Sequence, residues 1–224
     1  MKLFAFRFAI LLAAASFSIS NASATAITVN NASFETLPTA GLPIGCGTAC
    51  SYSIDSIPGW TNSGFSGQFQ PGPPATTAWF NSVPDGTTVA YTNGPMIDQV
   101  VGATVQDGVT YTLTLDLGSR NDTGFGSAAG LFIGGNFYAA TGIVPTAGNW
   151  STYTATFTGT AATAGDAIDI QLLMTGAQGD FDNVRLSDST GGNNTSPVPE
   201  PSSLSLLALG LGGIAGVVRR KIRS

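Results

Sequence analysis

The chain has 224 residues, 9% of them charged, no histidine, and a formal net charge of −5. Between residues 25 and 197 only Arg120 and Arg185 are basic, against twelve carboxylates, so this body carries −10 and no lysine. Such a surface cannot neutralise a phosphate backbone, which excludes a nucleic-acid partner. The missing residue types also exclude histidine triads, histidine metal sites and lysine Schiff bases.

Residues 1–24 have the organisation of an export signal peptide. Lys2 and Arg7 form a basic start, and Phe8 to Phe17 is an apolar stretch too short to span a bilayer comfortably. Ala22, Ser23 and Ala24 supply small residues for cleavage after Ala24, so the mature chain is expected to begin at Thr25.

From Thr25 the apolar period is two, not 3.6. Val109, Tyr111, Leu113, Leu115 and Leu117 alternate with Thr110, Thr112, Thr114 and Asp116. Tyr153, Ala155 and Phe157 alternate with threonines, and Ile168, Ile170, Leu172 and Met174 share a face. Further strands are expected at 26–30, 87–92, 96–102, 129–133, 136–140 and 180–187. Turn signals separate them, such as Pro84-Asp85-Gly86 and Gln106-Asp107-Gly108. Pro38 to Ser51 and Ser63 to Thr77 are expected to be long Gly/Pro-rich loops. Many short strands without a helical stripe predict an all-β, antiparallel jelly-roll sandwich over 25–189. Threonine on the outer positions suits a pleated surface that faces water without charge.

Residues 190–197 are expected to form a flexible polar linker. Val198-Pro199-Glu200-Pro201 follows, then an apolar run from Ser202 to Val218, then a basic cluster of Arg219, Arg220, Lys221 and Arg223. As a helix the apolar run would be ~25 Å long at ~1.5 Å per residue. That is the lower edge of a transmembrane helix, which snorkelling arginines extend. Positive charge after the span places this end in the cytoplasm and the body outside.

The order Pro-Glu-Pro, short helix, basic tail resembles the PEP-CTERM sorting signal over 198–223. The resemblance implies a temporary membrane anchor, recognised and cut near the motif by an exosortase, in a setting of exopolysaccharide production. The body resembles galactose-binding-like jelly rolls and carbohydrate-binding modules. The matching pieces are Asn30-Asn31-Ala32-Ser33-Phe34-Glu35, Ile57-Pro58-Gly59-Trp60, Thr110 to Asp116, Trp150 to Tyr153, and Phe181 to Leu186. The resemblance implies that Trp60 and Trp150 are packing residues. It also implies a structural Ca2+ held by Glu35 and Asp182, with Asp180 able to help, since a hard cation takes carboxylate and carbonyl oxygens. The alternatives are that Glu35 pairs with a body arginine, or that Asp182 caps a turn.

Cys46 and Cys50 are the only cysteines, and the export signal makes a disulfide between them the expectation. Closing so small a loop stabilises by about 2 kcal/mol and would pin the Gly-rich loop before Tyr52. For a sugar ring, Trp79 offers a flat apolar face, with Asn81 and Asp85 nearby for hydroxyls and Arg120 as a second polar candidate. Against this, the Trp79 loop could fold back and bury the ring, and Arg120 could hold the following loop by a salt bridge. No nucleophile elbow, phosphate loop or metalloprotease motif is present. The expectation is a non-catalytic, exported envelope or matrix protein that associates with exopolysaccharide. A purely structural matrix protein and a carboxylate-based glycan hydrolase are the alternatives.

Overall fold

A computed structural model describes residues 24–192 except Asp55, Ser63, residues 73–77 and Pro95. The expected signal peptide, Pro-Glu-Pro motif, apolar helix and basic cluster lie outside the described residues. Among the described residues no helix is long and apolar enough to cross a membrane.

In chain order the strands are β1 (Thr25–Ile27), β2 (Ile44–Gly47), β3 (Cys50–Tyr52), β4 (Thr61–Asn62), β5 (Ser66–Gln70), β6 (Val89–Thr92) and β7 (Ile97–Thr104). They continue as β8 (Thr110–Arg120), β9 (Gly124–Phe125), β10 (Ser127–Ile133), β11 (Asn136–Ala139), β12 (Trp150–Thr158), β13 (Ala167–Met174) and β14 (Gly179–Asp188). One 3-10 turn, Ser189–Gly192, is the only helical segment among the described residues. The fold is thus an all-β sandwich, consistent with the jelly-roll expectation.

Two antiparallel sheets face each other. The larger runs β12-β8-β14-β6-β5-β3-β2, with β1 beside β14 and β9 beside β8; the smaller runs β11-β10-β13-β7-β4. The long expected strands form because their alternation matches the pleat. On β8, Tyr111, Leu113, Leu115 and Leu117 point into the sandwich and are at most 1% exposed, while the intervening threonines point outward. β12 pairs with β8 in register, Tyr153 opposite Leu115 and Phe157 opposite Tyr111, which keeps both apolar sets on one face.

The main core joins these residues to Ile97, Leu131, Ile133, Ile168, Ile170, Leu172, Phe181 and Leu186, with Phe34 and Trp60 closing one end. Each fully buried side chain of this kind stabilises by about 1.5–3 kcal/mol. A second cluster of Cys50, Phe69, Phe80, Val89 and Tyr91 is packed by Trp79, Val83 and Trp150. It lies on the opposite face of the larger sheet, since Ala90 packs into the main core between Val89 and Tyr91. Among the described residues both clusters are built from the body, which therefore has a core of its own, as an independently folding domain requires.

Two sequence expectations are corrected. The supposed loops 38–51 and 63–77 contain β2, the start of β3, and β5. These strands are short and Gly-rich, so they show no alternation. β5 carries Gly67 because a side chain there would collide with the Ser53 backbone. Trp150 packs as expected, but in the second cluster: its ring lies 4.6 Å from Phe80 and its Nε1 donates to the Ser82 carbonyl at 2.9 Å.

Candidate functional site: an aromatic pocket on the larger sheet

At the edge of the second cluster the larger sheet opens into a cavity of about 220 Å3, lined by Cys46, Tyr52, Phe69, Trp79, Tyr91, Asn93, Arg120 and Gln178. Each side chain is placed by strand parity or by a turn. On β8 the odd positions fill the core, so Arg120 at its end emerges on the outer face. Tyr91 on β6, Phe69 on β5 and Tyr52 on β3 follow the same rule on neighbouring strands. Trp79 arrives from the connection between β5 and β6, and Gln178 from the turn before β14.

The rings stand edge to face. Tyr52 meets Tyr91 at 6.1 Å and 79°, Tyr91 meets Phe69 at 6.5 Å and 80°, and Phe69 meets Trp79 at 6.1 Å and 81°. This arrangement suits the ring quadrupoles. Arg120 lays its guanidinium 4.3 Å from the Trp79 ring centre and 5.9 Å from that of Phe69. Its Nε and Nη2 donate to the two Asp122 oxygens at 2.8 and 2.6 Å, and its Nη1 donates to Gln178 Oε1. The Arg120 hydrogen bonds hold the Asp122 carboxyl below its ordinary range, with the guanidinium charge adding to them. The pocket wall therefore carries a compensated ion pair, not a bare cation.

Behind Gln178 sits Asp180, with no solvent exposure. Gln178 Nε2 donates to its Oδ1 at 3.1 Å, while its Oδ2 has no hydrogen-bond partner among the described residues. Burial pushes this carboxyl up to about 7, against the pull of the nearby Arg120 charge.

A second polar cluster surrounds the Asp85 to Thr88 segment. Asp182 is fully buried; its Oδ2 accepts the Asp85 N–H at 2.9 Å and its Oδ1 the Asn183 N–H at 2.7 Å. Burial raises Asp182 to about 8, with the charges of Asp85 and Asp116 adding to it and the two N–H bonds opposing. Glu35 accepts N–H bonds from Thr87 and Thr88 at 2.9 and 2.7 Å. Arg120–Asp122 is the only ion pair among the described residues, so neither Glu35 nor Asp182 has a cationic partner there.

Of the four residues expected to touch a glycan, Trp79 and Arg120 come together in the pocket. Asn81 and Asp85 fall outside its lining: Asn81 bonds Asn149 and the Gly148 carbonyl, and Asp85 bonds Asp182. The alternative for Arg120, a salt bridge to the following loop, is present within the same site. Sequence reasoning missed Tyr91, Asn93 and Gln178. Tyr91 sits in a strand whose four residues are all buried, which erases the alternation that would have marked it. Cys46 and Cys50 form the expected disulfide, with Cα atoms 5.1 Å apart. Among the described residues no three Cys, Asp or Glu side chains converge as a metal centre.

Fold and site together define a β-sandwich protein with an aromatic pocket on one sheet. Residues 25–187 match the HpiC1-like family, described as HpiC1 cyclase, and the chain belongs to that family. Residues 197–223 match the PEP-CTERM protein-sorting motif, a signal that marks exported proteins sorted to the cell envelope and implies processing by an exosortase. Among solved structures the chain is similar to the Stig cyclase FisC from Fischerella sp. TAU, in complex with (3Z)-3-(1-methyl-2-pyrrolidinylidene)-3H-indole. The two share 26% identity over 74% of this chain and 98% of that one, with a TM-score of 0.60. A second Fischerella sp. TAU cyclase, in complex with 4-(1H-indol-3-yl)butan-2-one, is 25% identical over 73% of this chain and 97% of that one, with a TM-score of 0.58. The CBM22-1 xylan-binding domain of Paenibacillus barcinonensis Xyn10C is 11% identical over 63% of this chain and 96% of that one, with a TM-score of 0.39. No curated protein matches the chain.

Proposed function

We propose that this exported protein binds one sugar ring, at a chain end or branch of extracellular polysaccharide, in the aromatic pocket. The observation that carries the reading is the meeting of Tyr52, Phe69, Trp79 and Tyr91 with the polar groups of Asn93, Arg120 and Gln178 around one small cavity. Ring faces and edges serve the C–H side of a pyranose, and the amides and guanidinium serve its hydroxyls. A cavity of about 220 Å3 admits a single ring, which favours a terminal residue over the middle of a chain. The test is calorimetric titration of residues 25–192 with methyl glycosides and with the producer's own polysaccharide. Saturable binding is expected, weakened about tenfold or more in Trp79→Ala by loss of one aromatic wall. Absence of binding to every glycan would overturn the reading and favour a structural matrix role.

Catalysis is a second reading, supported by membership of a family of cyclases and by Asp180. Burial raises this carboxyl to about 7, and it sits behind Gln178 of the pocket lining with one oxygen lacking a hydrogen-bond partner among the described residues. It is suited to protonate a flat, electron-rich ring compound. Chemical conversion of an indole-bearing alkene, lost in Asp180→Asn with the fold intact, would establish it. Binding of the same compound without conversion would reject it.

A structural Ca2+ is proposed beside these readings. Asp182 is buried without a cationic partner, and Glu35 reaches the same Asp85 to Thr88 segment. The pair would be the carboxylate ligands of a hard cation completed by main-chain oxygens. Among the described residues no third carboxylate converges with the pair, so main-chain oxygens would complete the site. Melting with Ca2+ and with EDTA decides it: a higher midpoint with Ca2+ supports the site, and superimposable curves remove it.

A further inference from the structure

The disulfide stands in the wall of the pocket. Cys46 lines the cavity beside Tyr52, while Cys50 is buried in the second cluster. The hairpin they tie together is held firmly at one end only: after Tyr52, Ser53 donates its N–H to the Gln68 carbonyl at 2.9 Å, accepts the Gln68 N–H at its hydroxyl, and accepts the Tyr91 hydroxyl at its carbonyl. Among the described residues β2 is the edge strand and pairs with β3 alone, and β3 itself joins the sheet through two residue pairs, Ser51 with Gln70 and Tyr52 with Phe69. The register shifts between Gly45 and Gly47, which leaves Cys46 as the extra, unpaired residue of a bulge. The turn also holds Ala49 at φ 55°, a left-handed conformation that disfavours a side chain. Gly72, on the chain leading to Trp79, sits so close to the Ala49 carbonyl that a Cβ there would lie only 3.0 Å away. A bond between Cys46 and Cys50 thus fixes a bulge, a disfavoured turn and the seat of the opposite wall together.

We propose that the pocket assembles only in the oxidised chain, so that export switches ligand binding on. This deepens the proposed sugar-binding function and rests on it for the ligand. In a reducing cytoplasm both cysteines are thiols, and the β2 end of the hairpin, remote from the Ser53 bonds to Gln68 and Tyr91, is left to its pairing with β3. After export, thiol–disulfide exchange closes the bond. The two thiols give up two electrons and two protons to a disulfide-bearing oxidant, which departs as two thiols. The wall of Cys46 and Tyr52 is then set against Phe69, Tyr91 and Trp79. The coupling is reciprocal: a ligand that needs the closed wall also protects the bond from reductant.

The experiment compares residues 25–192 in oxidised form, reduced with a dithiol, and as the double variant Cys46→Ala/Cys50→Ala. Hydrogen exchange needs no ligand. Reduction and the double variant are both expected to speed exchange in residues 44–52 and 78–80, while 127–133 and 167–174 in the main core stay protected. Titration with a methyl glycoside that binds the oxidised body is expected to show affinity about tenfold weaker in both altered forms, the loss of roughly one aromatic wall. Unchanged exchange at 44–52, or unchanged affinity after reduction, would overturn the proposal. Loss of protection throughout the main core would also overturn it, by showing a general stabilising role. If no glycoside binds the oxidised body, the sugar-binding function fails, while exchange still decides whether the disulfide sets the wall.

Discussion

Asp180 and Asp182 sit two residues apart on β14, and both are held above the ordinary carboxylate value of 3.8, at about 7 and about 8. Both bind their protons more tightly folded than unfolded. Their contribution to stability is therefore complete below the unfolded value, declines as pH rises, and is lost once pH passes the folded values. Asp98 and Asp169, raised chiefly by burial, act in the same direction. In the absence of divalent cation, thermal melting of the body should fall steadily between about pH 5 and pH 8.5. Asp182→Asn should flatten part of that slope, because the amide keeps an acceptor for the Asp85 N–H without a charge to bury. A melting midpoint independent of pH over this range would show that both carboxyls ionise freely in the fold. A second expectation concerns Gly118, where a Cβ would lie 2.9 Å from the Trp150 ring and 3.0 Å from Phe80. Gly118→Ala should destabilise by about 1–3 kcal/mol, as overpacking does. Denaturant unfolding that shows no change would mean the Phe80 segment moves aside without cost.

At the scale of elements, one side chain joins three segments. Gln99 on β7 accepts the Asn30 N–H at 2.8 Å and donates to the carbonyls of Asn30 and Gly59 at 3.0 and 2.7 Å. It is 4% exposed, so water cannot replace it. Gln99→Leu should cost roughly 3 kcal/mol or more, because three main-chain groups lose their partner. A loss under about 1 kcal/mol in denaturant unfolding would show that the two loops are held by other contacts. This brace explains part of what the sequence left hidden. The threonine-alternating strands β8 and β12 were legible because one face is wet and the other dry, and period two survives in the residues. β6 was only partly legible, since the second cluster buries its outer face as well. β2 and β5 were invisible, because Gly47 answers to its positive φ and Gly67 to the neighbouring Ser53 backbone, which a single segment does not display. In the site, Trp79 and Arg120 stood out as an indole and a rare cation near loops. Their meeting depends on the pairing of β8 with β14 and of β5 with β6, which sequence spacing does not encode.

For the whole molecule, the order of the strands gives the sandwich two unlike poles. Gln178 and the start of β14 border the pocket, and Gly179 pairs with Thr92 at that pole. Ten residues later Asp188 stands opposite Thr25 and Tyr111 at the other pole, where both ends of the body emerge. At ~3.3 Å per residue the two poles are about 30 Å apart along β14. In sequence, the sorting motif at 197–223 follows Asp188, which stands at the pole remote from the pocket. A ligand seated in the cavity therefore lies at one end of β14, and the residue that leads in sequence towards the tail lies at the other. Cutting within 197–223 removes no residue that lines the cavity, so the proposed binding outlives the tail.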